Sequence, residues 1–171
     1  VTGYYSTHFS NRKPPMTREG VAHFERNGKH YLLTSGTTWY MPNPSEAAVA
    51  ETWHGPYRIL GNPHVGDSSF TSFHSQISSV FKVAGKKDLY IAVADRWLPN
   101  HMDLQYEVYA EVFRKLYSEE LLKQKEATLE IPFETPKADT VNATYVWLPL
   151  RFEGEKVLID WRDEWTLDEF E

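Results

Sequence analysis

Two side chains in this sequence have types and surroundings suited to chemistry on a polar substrate, Glu19 and Gln76. Glu19 follows Arg18 and stands where a turn-rich segment gives way to an apolar run. A carboxylic acid in such a place can protonate a leaving oxygen. That is half of what cleavage of a glycosidic bond requires, the other half being an opposing group that directs water. A solvated loop carboxylate would have the same neighbours. Gln76 lies within Ser69-Phe-Thr-Ser-Phe-His-Ser-Gln-Ile-Ser-Ser79, a strand-like stretch whose alternate positions are polar. Such a stretch fits the lining of a cavity, and it fits a hydroxyl-rich exposed strand equally well.

Other chemistry is poorly served. The seven His residues form no HExxH motif and no close pair on a helix, which argues against a catalytic zinc site. Gly85-Lys86-Lys87 lacks the hydroxyl and the spacing of a phosphate-binding loop, so it reads as a turn. With no Cys there is no thiol nucleophile, thiolate metal site or disulfide framework. Asp95, Asp163 and Glu164 read as ion-pair partners of Arg96 and Arg162 at strand ends. Asn142-Ala-Thr144 fits a glycosylation sequon, a pattern common by chance.

The elements that must position Glu19 and Gln76 announce themselves by repetition. Phe24, Phe81 and Phe152 each end an alternating run, a tight turn follows at Gly28, Gly85 or Gly154, and an apolar strand comes next. The spacing of the three copies allows one propeller blade of roughly 40–50 residues for each. The expected fold is therefore all-β, about three blades of a β-propeller, with three hairpins of one β-sandwich as the other arrangement. Short strands are expected at residues 47–50 and 57–60 around the turn His54-Gly55-Pro56. The segment 34–44, crowded with hydroxyls, prolines and the aromatic pair Trp39-Tyr40, reads as a shaped loop. Residues 101–142 read as a helical and loop insertion. Tyr109, Val112, Phe113 and Leu116 keep helical spacing, and Ser118 before Glu119 and Glu120 reads as the cap of a second helix.

Composition narrows the partners. The 171 residues carry a formal charge of −6 without a basic cluster, which excludes nucleic acid as a partner. No apolar run reaches the length of a membrane span and the residues from Val1 onward show no charged-then-apolar leader pattern, so no membrane partner is expected and any signal peptide would lie upstream. Aromatic residues make up 15% of the chain, and aromatic faces suit both sugar clefts and large cores.

Many short motifs in order resemble glycoside hydrolase family 43, and within it the exo-β-1,3-galactanase-like branch. They are Arg18-Glu19, the hairpin from Phe24 through Gly28 to Gly36, Trp39-x2-Pro-Asn-Pro44, Gly55-Pro-Tyr57, Leu60-Gly-Asn-Pro63, Ser75-Gln76, Asp95-Arg-Trp97, Tyr145-Val-Trp-Leu-Pro149 and Trp161-x-Asp-Glu-Trp165. The resemblance implies a five-bladed propeller, of which residues 1–171 are the C-terminal part. It implies an inverting, exo-acting hydrolase of β-galactosyl linkages in polysaccharide such as β-1,3-galactan, with acid and base about 6.5–9.5 Å apart. Glu19 matches the general acid. Gln76 matches a glutamine that guides the water, as its imidic tautomer. Thr37, Thr38 and Trp39 fall where the family's sugar-contacting loop lies, and His74, Asp95 and Trp97 are expected to bind substrate beside them. No cofactor is required, a structural calcium ion is allowed, and a secreted or periplasmic location is implied. The missing early blades, or another chain, are expected to complete the propeller.

The chain departs from the branch pattern at Gly20-Val21, at Thr38 and at His74. An arabinofuranosidase or xylosidase of the same family remains open, as does a non-catalytic carbohydrate-binding or scaffold propeller.

Overall fold

The computed structural model describes residues 9, 13, 15–118 and 136–171. The second helix expected after Ser118 lies outside the described residues, as does most of the N-terminal loop. Strands β1 (Glu19–Arg26), β2 (Lys29–Ser35), β3 (Glu46–Ala50) and β4 (Arg58–Gly61) form a four-stranded antiparallel sheet in chain order. Strands β5 (His64–Val65), β6 (Gln76–Lys82), β7 (Tyr90–Arg96), β8 (Thr144–Glu153) and β9 (Lys156–Asp160) form a second sheet, ordered β5-β9-β8-β7-β6. Helix α1 (Tyr106–Leu116) lies between β7 and β8, within the expected insertion.

The all-β, blade-built architecture with a helical insertion is as the sequence implies, but the hairpins are shared out differently. Strand β7, from the second hairpin, pairs with β8, from the third, in unbroken register from Ile91↔Pro149 to Arg96↔Thr144. The three hairpins therefore make two sheets rather than one blade each. Motif spacing could not show this, because the insertion hides the adjacency of β7 and β8 along the chain.

Period-two alternation turns one face of each sheet toward the other. Ala22 and Phe24 of β1, Tyr31 and Leu33 of β2, Ala92 and Ala94 of β7, and Val146, Leu148 and Leu150 of β8 all enter one core. Phe24 stacks on Tyr31 at 4.9 Å and meets Tyr90 at 5.3 Å. Arg26 closes the edge, gripping both oxygens of Asp88, donating to the Gly154 carbonyl and lying over Phe152. The innermost strands, β1 and β6, pack against each other. Glu19 begins β1 and Gln76 begins β6, so their side chains emerge at the same end of the two sheets.

The stretch 69–75 is not strand. The Asp67 carboxylate accepts from the amides of Thr71 and Ser72 at 2.8 and 2.7 Å, and Phe70, Ser72, Phe73 and His74 all have positive φ. An acceptor that captures consecutive amides diverts the chain from ladder pairing into a compact turn. Only at Gln76 does β6 begin.

Candidate active site

Glu19 opens β1 opposite Ser35 on β2, beside a bulge between Glu19 and Ala22. Gln76 opens β6 opposite Asp95 on β7. The amide of Gln76 bridges the sheets: Nε2 donates to Ser35 Oγ at 2.6 Å and to Glu19 Oε1 at 3.5 Å, while Oε1 accepts from Trp97 Nε1 at 3.1 Å. Because an indole N–H can only donate, Trp97 fixes which end of the amide is the oxygen. Gly20 lets this contact form. Its φ is +56°, and a Cβ there would stand 2.9 Å from Gln76 Nε2 and 3.1 Å from Ser35 Oγ.

Above this pair lies an open cleft of about 530 Å³ lined by Glu19, Trp39, Tyr40, Gln76 and Trp97. A narrower recess continues from it past His74, Ser75 and Asp95. Trp39 and Tyr40 are 57% and 49% exposed, so much of each ring is open to a ligand. Trp39 rests edge-on against Phe113 of α1 at 5.3 Å, and Tyr40 against Trp97 at 5.6 Å. The insertion therefore buttresses one wall of the cleft. Tyr109 of α1 is fully buried and its hydroxyl donates to the Pro42 carbonyl.

Of the positions the sequence singles out, Glu19, Gln76, Trp39, His74, Asp95 and Trp97 come together here. Thr37 and Thr38 do not face the cleft. Thr38 is 0% exposed; its hydroxyl donates to the Met41 carbonyl and accepts from Asn43 Nδ2. Thr37 is bonded to Thr17 through its hydroxyl. Both shape the loop that carries Trp39, with buried Asn43 pinning Gly36 through N–H and carbonyl. Tyr40, Ser35 and Asn43 also build this site: in sequence Tyr40 reads only as half of an aromatic pair, and Ser35 and Asn43 only as members of longer motifs, with nothing in either residue to mark its role.

Burial lowers the pKa of His74, with Asp67 and Asp103 opposing and Arg96 adding to the effect, so a neutral ring faces the recess. Burial likewise lowers the pKa of Arg96, which donates to the Phe73 carbonyl and lies over Trp161. The expected ion pairs fail: Arg162 pairs with Glu169, and Asp163 accepts from Trp161 Nε1. The 3₁₀ turn at Leu167–Glu169 brings Glu169 to Arg162, a local return that the adjacent acids do not reveal. Among the described residues, one group can hold a metal ion, His23 with Glu25 and His30, away from this cleft.

No protein-family model and no curated protein matches the chain. Solved structures do. A family 43 β-1,3-galactosidase is 24% identical with a TM-score of 0.64, over 91% of this chain and 25% of its own. A second, solved with galactodeoxynojirimycin, is 22% identical with a TM-score of 0.60, over 88% of this chain and 32% of its own. An exo-β-1,3-galactanase from Phanerochaete chrysosporium, solved with galactose, is 19% identical with a TM-score of 0.51, over 84% and 23%. This chain thus spans about a quarter to a third of the solved chains it resembles. Its two packed sheets have the fold of part of the glycoside hydrolase family 43 β-propeller.

Proposed function

We propose that this chain is part of an inverting, exo-acting glycoside hydrolase that removes galactose from β-galactosyl linkages of a polysaccharide such as β-1,3-galactan. One observation carries the reading: Glu19 and Gln76, on different sheets, meet at the floor of a cleft walled by Trp39, Tyr40 and Trp97. The likeness in fold to galactose-releasing enzymes supports the choice of sugar. Aromatic walls suit the C–H faces of a sugar, and Asp95 and His74 offer polar groups to its hydroxyls.

In this scheme Glu19 gives its proton to the glycosidic oxygen as the bond to the leaving sugar breaks. A water held by Gln76 bonds to the anomeric carbon from the opposite face and loses its proton. Acceptance of that proton requires Gln76 in its imidic form, as the family resemblance implies. For sugar and water to enter, the 3.5 Å contact between the two side chains opens by about 3 Å or more, toward the separation inverting enzymes use. The rest of a propeller, or another chain, completes the cavity. Phe81, Tyr145 and Trp147 are exposed on the second sheet and offer a face for a further blade.

The test is galactose release from β-1,3-galactan by the protein that carries this chain. Glu19→Gln lowers it by about 10²–10⁴-fold, the worth of a positioned acid. Undiminished release in the variant overturns the reading. The closed Glu19–Gln76 contact also favours binding without turnover. In that case oligosaccharide binds, no galactose is released, and Glu19→Gln changes neither.

A further inference from the structure

A second convergence of capable side chains lies on the β1–β2 hairpin, on the face turned away from the core. His23 and Glu25 alternate with buried Ala22 and Phe24, so they share the outer face of β1, and His30 stands directly opposite Glu25 on β2. His23 Nε2 and His30 Nδ1 are 3.1 Å apart, and His30 Nδ1 is 3.5 Å from Glu25 Oε1. All three donor atoms lie within 4.8 Å of one another. Trp53, from the turn between β3 and β4, sets its ring edge-on against both imidazoles, at 4.1 and 5.9 Å.

These distances match a metal's needs. Ligand atoms about 2.0–2.1 Å from a tetrahedral zinc ion stand roughly 3.3–3.4 Å apart, and the two shortest separations here bracket that value. We propose that His23, Glu25 and His30 bind a divalent transition cation of the zinc class, through His23 Nε2, His30 Nδ1 and a Glu25 oxygen, with the remaining position open to water. Imidazole donors suit such ions and not calcium, which takes oxygen ligands. The bound ion ties β1 to β2, with Trp53 of the 51–57 turn packed edge-on against its imidazole ligands, and takes no part in chemistry at Glu19.

Calorimetric titration of Zn²⁺ into the metal-stripped protein tests this. One equivalent binds, excess Ca²⁺ does not displace it, and His23→Ala and His30→Ala each weaken Zn²⁺ binding by at least about tenfold. His101→Ala, outside the cluster, leaves it unchanged. Ni²⁺ quenches tryptophan fluorescence in the wild type and quenches it less in Trp53→Phe, a readout that needs no activity. Absence of saturable Zn²⁺ binding overturns the proposal, as does undiminished binding in a folded His23→Ala/His30→Ala double variant.

Discussion

Replacing Gly20 by Ala tests whether close approach of the backbone to Gln76 is what assembles the site. Gly28 supplies the control. Both glycines have left-handed φ, +56° and +75°, but an added Cβ at Gly28 meets nothing within 4 Å, whereas at Gly20 it meets Gln76 Nε2 at 2.9 Å and Ser35 Oγ at 3.1 Å. The backbone penalty, about 1–2 kcal/mol for an L-residue in that region, is common to both variants. Only at Gly20 must Gln76 also leave its 2.6 Å bond to Ser35, a further 0.5–1.5 kcal/mol or so. The expected losses are about 1–2 kcal/mol for Gly28→Ala and about 1.5–3.5 kcal/mol for Gly20→Ala. For a chain of this size each kcal/mol lowers Tm by about 2–4 °C, so the drops are about 2–8 °C and about 3–14 °C. Thermal unfolding followed by circular dichroism measures both, and galactose release from β-1,3-galactan is assayed beside it. Gly28→Ala keeps its activity and Gly20→Ala loses most of it. Equal Tm drops together with equal activities would refute the reasoning, because they would mean that Gln76 does not depend on the space Gly20 leaves.

Three further outcomes follow from particular contacts. Burial pushes the pKa of His64 down from 6.5 to about 4, against a smaller opposing effect of Asp67. The unfolded chain therefore binds a proton that the folded chain refuses between those values, and stability present above pH 6.5 falls by on the order of 3 kcal/mol as pH drops to 4. His64→Gln flattens that part of the urea-midpoint profile, and an unchanged slope would count against it. Trp97→Phe removes the donor to Gln76 Oε1 and keeps an aromatic wall. It lowers kcat more than it raises KM, whereas a rise in KM alone would mean that Trp97 is only wall. Tyr109→Phe strands the buried Pro42 carbonyl and costs about 1–3 kcal/mol by denaturant titration; a loss below about 0.5 kcal/mol would show that this carbonyl has another donor.

Much of the molecule could be read from local pattern. Period-two alternation with a glycine turn after Phe24, Phe81 and Phe152 is a short-range signal, and β1–β2, β6–β7 and β8–β9 are the hairpins it marks. Helix α1 followed from the spacing of Tyr109, Val112 and Phe113, all of them buried. Glu19 was legible as a carboxylate ahead of an apolar run, and Gln76 as part of a stretch whose alternate positions are polar. Partner choice was not. That β7 pairs with β8, that Gln76 reaches Ser35 and Glu19, and that α1 props Trp39 are contacts between residues far apart in the chain. Their energy comes from surfaces that exist only once both sheets have packed. Thr38 is hidden for a different reason: its hydroxyl looks available in sequence and is used up within its own loop by Asn43 and Met41, because the loop's fold and not its composition sets that contact. His23 and His30, by contrast, belong to the β1–β2 hairpin that local pattern marks, and its register alone brings them together. Sequence by itself marked the hairpin strands, helix α1 and the side chains able to do chemistry, but not the compact turn at 69–75 that Asp67 imposes on a strand-like stretch. Tertiary structure alone decided which of them meet, because a contact between sheets depends on packing geometry that no local run of residues encodes.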